Sequence, residues 1–238
     1  MTATELTALR TSAVLACLTV ALCTPLAVVL ASWAGQARGR ASVWLNTVLL
    51  APMVLSPAAV GLGLTGALAP LGVTGTWMAA VWGDERLLLV GLTLAASVLT
   101  LPLMVRALRP AFAVQDPMRV PVARTLGASA WQAWWTVTLP AAWPAVLSAM
   151  ALGWAAAWGE TGAAIVLATR LPQGAGDLPL SAPLALASET GLVDGPLSDR
   201  LAWAALAVAV LATLLSEWAH ARWERRTLGH PAARSAEP

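Results

Sequence analysis

Five long apolar runs, separated by polar breaks, divide this chain at about residues 11–34, 43–69, 87–108, 141–169 and 201–218. Each is near the roughly 20 residues that a helix needs to cross the hydrocarbon core of a bilayer. The pattern predicts an all-α integral membrane protein with about five transmembrane helices. The breaks carry loop chemistry: Pro70, Gly72 and Gly75 mark turns, and Trp77 and Trp82 suit an interfacial aromatic belt. The leading segment is polar but not basic, and the first run is too long for the apolar part of a signal peptide. No linker separates two cores, so residues 1–238 read as a single transmembrane domain.

The break at 109–140 contains the most polar internal segment, DPMRVPVARTLGASAWQAWWTVTLP, from Asp116 to Pro140. Asp116-Pro117 predicts a helix start, with an acidic cap and proline at the first helical position. Gly127 interrupts, because glycine tolerates the left-handed conformation. A second amphipathic piece carries Trp131 and Trp135 four apart on one face, and Leu139-Pro140 ends it. Pro121 complicates the first helix. Counted from an Asp116 cap it would be the fifth residue, where a missing N–H and a crowding ring cost about 3 kcal/mol, and it would push Val120 out of the helical region. The predicted solution ends any first turn by Arg119 and restarts the helix at Pro121, running to about Leu126. A helix–glycine–helix hairpin between two spans should lie on the membrane surface and offer a knob to something in the cytoplasm.

The spacing of this segment resembles the cytoplasmic loop of ABC importer permeases: Glu-Ala-Ala, three residues, Gly, nine residues, Ile, one residue, Leu-Pro. Here Val122-Ala123 stand for the alanines, Gly127 for the glycine, Val137 for the isoleucine, and Leu139-Pro140 close the motif without a gap. The run from Ala123 to Ser129 is similar to the version in molybdate and related oxyanion permeases. So are LAPMVLSPAAVGLGL in the second apolar run, LPLMVRALRPAF in the third, and Asp177-Leu-Pro-Leu180. The resemblance covers about residues 12–215. It implies a homodimer with a translocation path between the subunits, two cytoplasmic ATPase subunits and an extracytoplasmic substrate-binding protein, all at the cytoplasmic (inner) membrane of a bacterium or archaeon. ATP and magnesium would sit on the ATPase, with no cofactor in this chain. Its ATPase-coupling residues would be Asp116, Pro117, Val120, Pro121, Val122, Ala123, Arg124, Thr125, Leu126, Gly127, Ala128, Ser129, Leu139 and Pro140. Pro121 occupies the glutamate position, which implies an apolar or neutral contact on the ATPase instead of an arginine awaiting a salt bridge. The implied cargo is molybdate or tungstate, with sulfate or thiosulfate next; permeases for iron, polyamine and thiamine share the loop but match the flanking spans less well.

Composition narrows the chemistry further. The chain is 58% hydrophobic and 11% charged with a mean hydropathy of +0.72, too apolar for an ordinary soluble domain. All 14 basic residues are arginine, so a phosphate-binding loop with its lysine is impossible here, and if ATP drives this protein another polypeptide hydrolyses it. This chain is therefore read as a permease subunit and not an enzyme. His220 and His230 lie in the C-terminal region, which excludes a membrane-embedded catalytic or metal-binding histidine. Cys17 and Cys23 read as small apolar fillers, not as a disulfide or metal site. The net charge of +2 and scattered arginines leave no stripe for nucleic acid.

Two features within the spans invite function. Ser56-Pro57, followed by small residues, allows close helix packing or a lined cavity. Glu160, in the run Gly159-Glu160-Thr161, is the one charged residue of the fourth apolar run and a candidate gate or pathway residue. Oxyanion permeases carry a similar Gly-Glu-aromatic-Gly-Ala, with Thr161 here at the aromatic position. A carboxylate would repel a dianion, so packing or a hydrogen-bonded gate is the preferred role over direct substrate contact. Arginine counting orients the chain. With the motif loop in the cytoplasm, inner segments hold ten arginines and outer segments four, which puts the N-terminus outside and the C-terminus inside. An ion-coupled secondary carrier would show two related halves and several coupling carboxylates, and an intramembrane serine enzyme would need a base; this sequence offers neither.

Overall fold

Small residues decide where the helices meet. In the computed structural model of the chain, the described residues are 3–36, 47, 59–60 and 84–160, with 203–204, 206–208, 210–215 and 217–218 towards the C-terminus. The described elements are α1 (Ala3–Gln36), α2 (Asp84–Ala113), α3 (Arg119–Thr125), α4 (Ala130–Ala133), a π-helical turn (Trp134–Thr138) and α5 (Leu139–Trp158). All are helical, and three stretches among them are long and apolar enough to cross a membrane: Leu9–Gly35, Leu89–Ala113 and Ala130–Trp158.

Along α1 the buried positions include the small residues Ser12, Ala16, Thr19, Cys23, Ala27 and Ala31 beside Leu15, Val20 and Val28, while Leu18, Leu22, Leu26, Val29 and Trp33 face outward. That sorting is the reverse of a water-soluble helix. Lipid solvates leucine as well as a protein core does, so helices gain by close approach along small side chains. The approach is closest at two glycines. A Cβ on Gly35 would sit 3.0 Å from Phe112 Cβ and 3.2 Å from the Ala113 backbone nitrogen. One on Gly153 would sit 2.7 Å from Met104 Sδ, inside any tolerable contact.

These contacts fix the topology. Gly35 meets Phe112, the Cys23 thiol donates to the Ser97 carbonyl at 3.8 Å, and Leu15 and Ala16 share a cluster with Leu92 and Ala96, so α1 and α2 run parallel. α5 runs against both. Ala142, Ala145, Val146 and Ala149 pack with Met104, Leu108 and Phe112, and Ala157 and Trp158 pack with Leu15 and Leu92. Gln36 and Asp84 therefore lie at opposite ends of the bundle, and the N-terminus of α1 lies at the end away from residues 114–138. Helical residue Val208 packs on the second cluster beside Trp154. Several hydroxyls within the helices bond their own preceding turns: Thr24 donates to the Val20 carbonyl, Thr93 to Leu89 and Ser97 to Thr93, whereas the buried Thr19 hydroxyl has no partner among the described residues. The bonded hydroxyls need no water to satisfy them, as a lipid environment requires.

The expected spans 11–34 and 87–108 fall inside α1 and α2, which extend further at both ends. Residues 109–113, expected in the loop, continue α2. Against the expected 141–169, α5 begins at Leu139 and ends at Trp158. The expected span 43–69 lies outside the described residues apart from 47, 59 and 60, and the expected 201–218 is described only in part.

The contact of Gly153 with Met104 yields a double-mutant test. Gly153→Ala should cost about 1–3 kcal/mol by overpacking, and Met104→Ala about 2–5 kcal/mol by leaving a cavity. Together they should cost less than the sum, because each relieves the other. Thermal unfolding of the purified protein in detergent would measure all three; strict additivity would contradict the close approach.

Candidate functional site

The segment that leaves the bundle between α2 and α5 is built from a series of local closures. The backbone N–H of Arg119 donates to the Asp116 carbonyl at 3.2 Å, and the N–H of Met118 donates to Asp116 Oδ1 at 2.9 Å. Asp116-Pro117-Met118-Arg119 is thus a turn, with aspartate first and proline second, where its fixed φ is preorganised. The helix α3 starts only after it, with Met118 as its N-cap and no side-chain cap.

This corrects the sequence reading at four residues. Asp116 closes a turn instead of capping the helix, Pro117 precedes the helix instead of opening it, and the helix does not restart at Pro121. Pro121 is the third helical residue, and Val120 stays in the helix. The reason is donor accounting. The first N–H of α3 to reach back into the helix belongs to Val122, which donates to the Met118 carbonyl at 3.0 Å. The N–H that Pro121 lacks would have had no helical partner, so the proline costs nothing there.

Gly127 ends α3 as a left-handed residue, with φ of +94°. The Gly127 N–H donates to the Arg124 carbonyl at 3.0 Å and the Ala128 N–H to Ala123 at 3.1 Å, the paired closure of a Schellman motif. Ser129 then caps α4. Its hydroxyl accepts from the Gln132 N–H at 3.2 Å, while Gln132 Oε1 accepts from the Ser129 N–H at 2.9 Å. Trp131, Trp134 and Trp135 follow as a triad, with Trp131 stacked on Trp134 and Trp135 edge-on to both. The expected pair, Trp131 and Trp135, is exposed; Trp134 between them is half-buried.

The product is a helix that stands off the bundle. No residue of α3 is buried, and its described contacts run to α4 and the π turn. Met118, Val122 and Leu126 are spaced four apart and all exposed, Leu126 to 84%, which makes an apolar stripe flanked by Arg119 and Arg124. An exposed apolar stripe is a candidate interaction face. Thr125 bends its hydroxyl back to the Val122 carbonyl at 2.7 Å and does not extend the stripe. The sequence reading missed Met118, although its four-residue spacing from Val122 was visible. It also missed Gln132, although Ser129-x-x-Gln132 is a capping-box pattern.

Residues 27–229 match the profile of the family described as "Binding-protein-dependent transport system inner membrane component". The chain belongs to that family. It is the permease subunit of an ABC importer, a multi-pass protein of the cytoplasmic membrane. The permease is 34% identical over 178 residues to the molybdenum transport system permease protein ModB of Escherichia coli K12, covering 73% of this chain and 75% of that one. It is 33% identical over 184 residues to ModB of Haemophilus influenzae, covering 75% and 77%. Against the sulfate transport system permease protein CysT of Escherichia coli K12 the identity is 27% over 186 residues, covering 78% and 66%. A solved bacterial ABC transporter for import of the acidic polysaccharide alginate has the same fold, with a TM-score of 0.67 at 16% identity over 95% of this chain and 81% of that one.

The other expected site residues of the permease lie elsewhere. Gly159 follows the last residue of α5 as its C-cap, and the Glu160 N–H closes on the Ala157 carbonyl at 3.5 Å. Twenty helical residues rise about 30 Å, so the half-exposed Glu160, just past the end of α5, stands about that far along the helix axis from Leu139. Ser56, Pro57 and Thr161 lie outside the described residues.

A Cβ at Gly127 would meet nothing within 4 Å, so substitution there is limited by backbone conformation alone. Gly127→Ala should lose about 1–2 kcal/mol of local stability. Gly127→Val should lose more, and Gly127→Asn least, because asparagine accepts the left-handed region. Hydrogen exchange at Gly127 and Ala128 would rank the three.

Proposed function

We propose that this permease carries molybdate-type oxyanions and is driven by a separate cytoplasmic ATPase that grips α3. The observation behind the docking reading is the apolar stripe of Met118, Val122 and Leu126, exposed on a helix closed at both ends by local hydrogen bonds. An ATPase groove that covers the stripe would bury three large apolar side chains, and Arg119 and Arg124 would meet polar groups at its rim. The wider coupling surface is Asp116 to Ser129 with Leu139 and Pro140. Pro121, exposed on α3, faces a neutral or apolar wall in this reading. The translocation path forms between two copies of the chain, and an external binding protein delivers the cargo. Ser56, Pro57, Gly159, Glu160 and Thr161 are assigned to the path or its gate.

The molybdate assignment is supported by the identity to two ModB proteins. The second reading is sulfate, favoured by the match to CysT. Calorimetry on the binding protein that partners this permease, with molybdate, tungstate and sulfate, separates the two.

Docking predicts that Leu126→Asp and Val122→Asp each weaken association with the ATPase at least tenfold and leave the permease folded, since both positions are exposed. Co-purification and ATPase titration would check it; wild-type association in both variants would refute the stripe as the docking face. Pro121→Glu should not tighten that association, although an acid in the first turn favours the helix itself. Glu160→Gln should assemble normally and change transport or basal ATPase activity; unchanged values for both would remove Glu160 from the gate.

A further inference from the structure

The chain leaves the bundle after Ala113 and re-enters it at Leu139. Its exit and return are tied by one side chain: Gln115 Nε2 donates to the Thr138 carbonyl at 3.0 Å, across 23 residues of sequence. The acceptor sits where the helix departs from α-helical spacing. Thr138 is the last residue of the π turn, and the next N–H, that of Leu139, reaches five residues back to Trp134. Pro140 then has no N–H to give. The carbonyls it would serve at either spacing, Trp135 five back and Thr136 four back, receive nothing from it.

On each side of this weak point the structure is rigid. Upstream, the Ser129–Gln132 capping box and the tryptophan triad bind residues 129–135 into one piece. Downstream, Ala142, Ala145 and Val146 are locked into the core against α2. The half-buried Gln115, two residues beyond the end of α2, braces the joint from the bundle side.

We propose that Gln115 is a positioning residue for energy coupling: it holds the π turn in register, so that a displacement of α3 and α4 reaches α5 and is not absorbed between Trp134 and Pro140. This rests on the reading of α3 as an ATPase-docking helix. The role requires a donor at glutamine length. Leucine and glutamate keep the size without the donor, and lysine keeps a donor with similar reach.

Two hydrogen-exchange measurements test it. In the full chain in lipid nanodiscs, Gln115→Leu and Gln115→Glu should speed exchange at Leu139, Ala141 and Ala142 by about two- to tenfold, the range for one net hydrogen bond. Gln115→Lys should return the rates towards wild type. Unchanged rates in the leucine and glutamate variants, or no return with lysine, overturn the clamp. In the complex with the ATPase, ATP binding should alter exchange at residues 119–126 and at 139–146 in the wild type. Gln115→Leu should keep the first response and lose most of the second, with Gln115→Lys restoring it. An undiminished response at 139–146 in Gln115→Leu overturns the positioning role. A wild-type complex with no response at 119–126 sinks the docking reading and the positioning role with it, while the clamp is still judged by the first measurement.

Discussion

Helices in lipid attract one another by closeness, since water offers no reward for hiding large side chains. The α1–α2–α5 bundle follows from that constraint. Its seam is rich in glycine and alanine, with Gly35 against Phe112 and Gly153 against Met104, while many of the leucines of α1 are turned outward. Parallel α1 and α2 with an opposed α5 bring the end of α2 and the start of α5 to the same end of the bundle. The exposed segment between them is held at its base by helices that have no room to slide, and the local closures of that segment act from a fixed platform.

The segment itself depends on short-range chemistry in which each closure sets the next. The Asp116 turn aims the chain, Met118 opens α3, Gly127 reverses it, and Ser129 starts α4. None of these devices needs a partner from the core. That explains how a helix with no buried residue keeps a defined shape, and how its apolar stripe stays on one face.

Gly127 was legible in the sequence because its role is local: a left-handed residue at a fixed distance from a helical turn needs only glycine. The membrane class was legible from apolar run length. The start of α3 was not, because Asp-Pro is a signal both for a helix cap and for a turn, and the choice depends on which N–H groups find acceptors. Pro121 was misjudged for the same reason, its cost vanishing once the helix begins at Arg119. The π turn was beyond local reading: it combines Pro140 with a hydrogen bond from Gln115, 23 residues away. Gly35 and Gly153 stand out only when the opposing Phe112 and Met104 are known. The ends of α5 were hidden too, since nothing in the run Ala157-Trp-Gly-Glu distinguishes a helix terminus from a flexible point within a span.

The exposed tip of α3 also bears on how the protein is made. Leu126 and its neighbours form a small adhesive patch in water, tolerable when covered and hazardous when bare. A chain made with that patch bare would tend to adhere through it to other apolar surfaces.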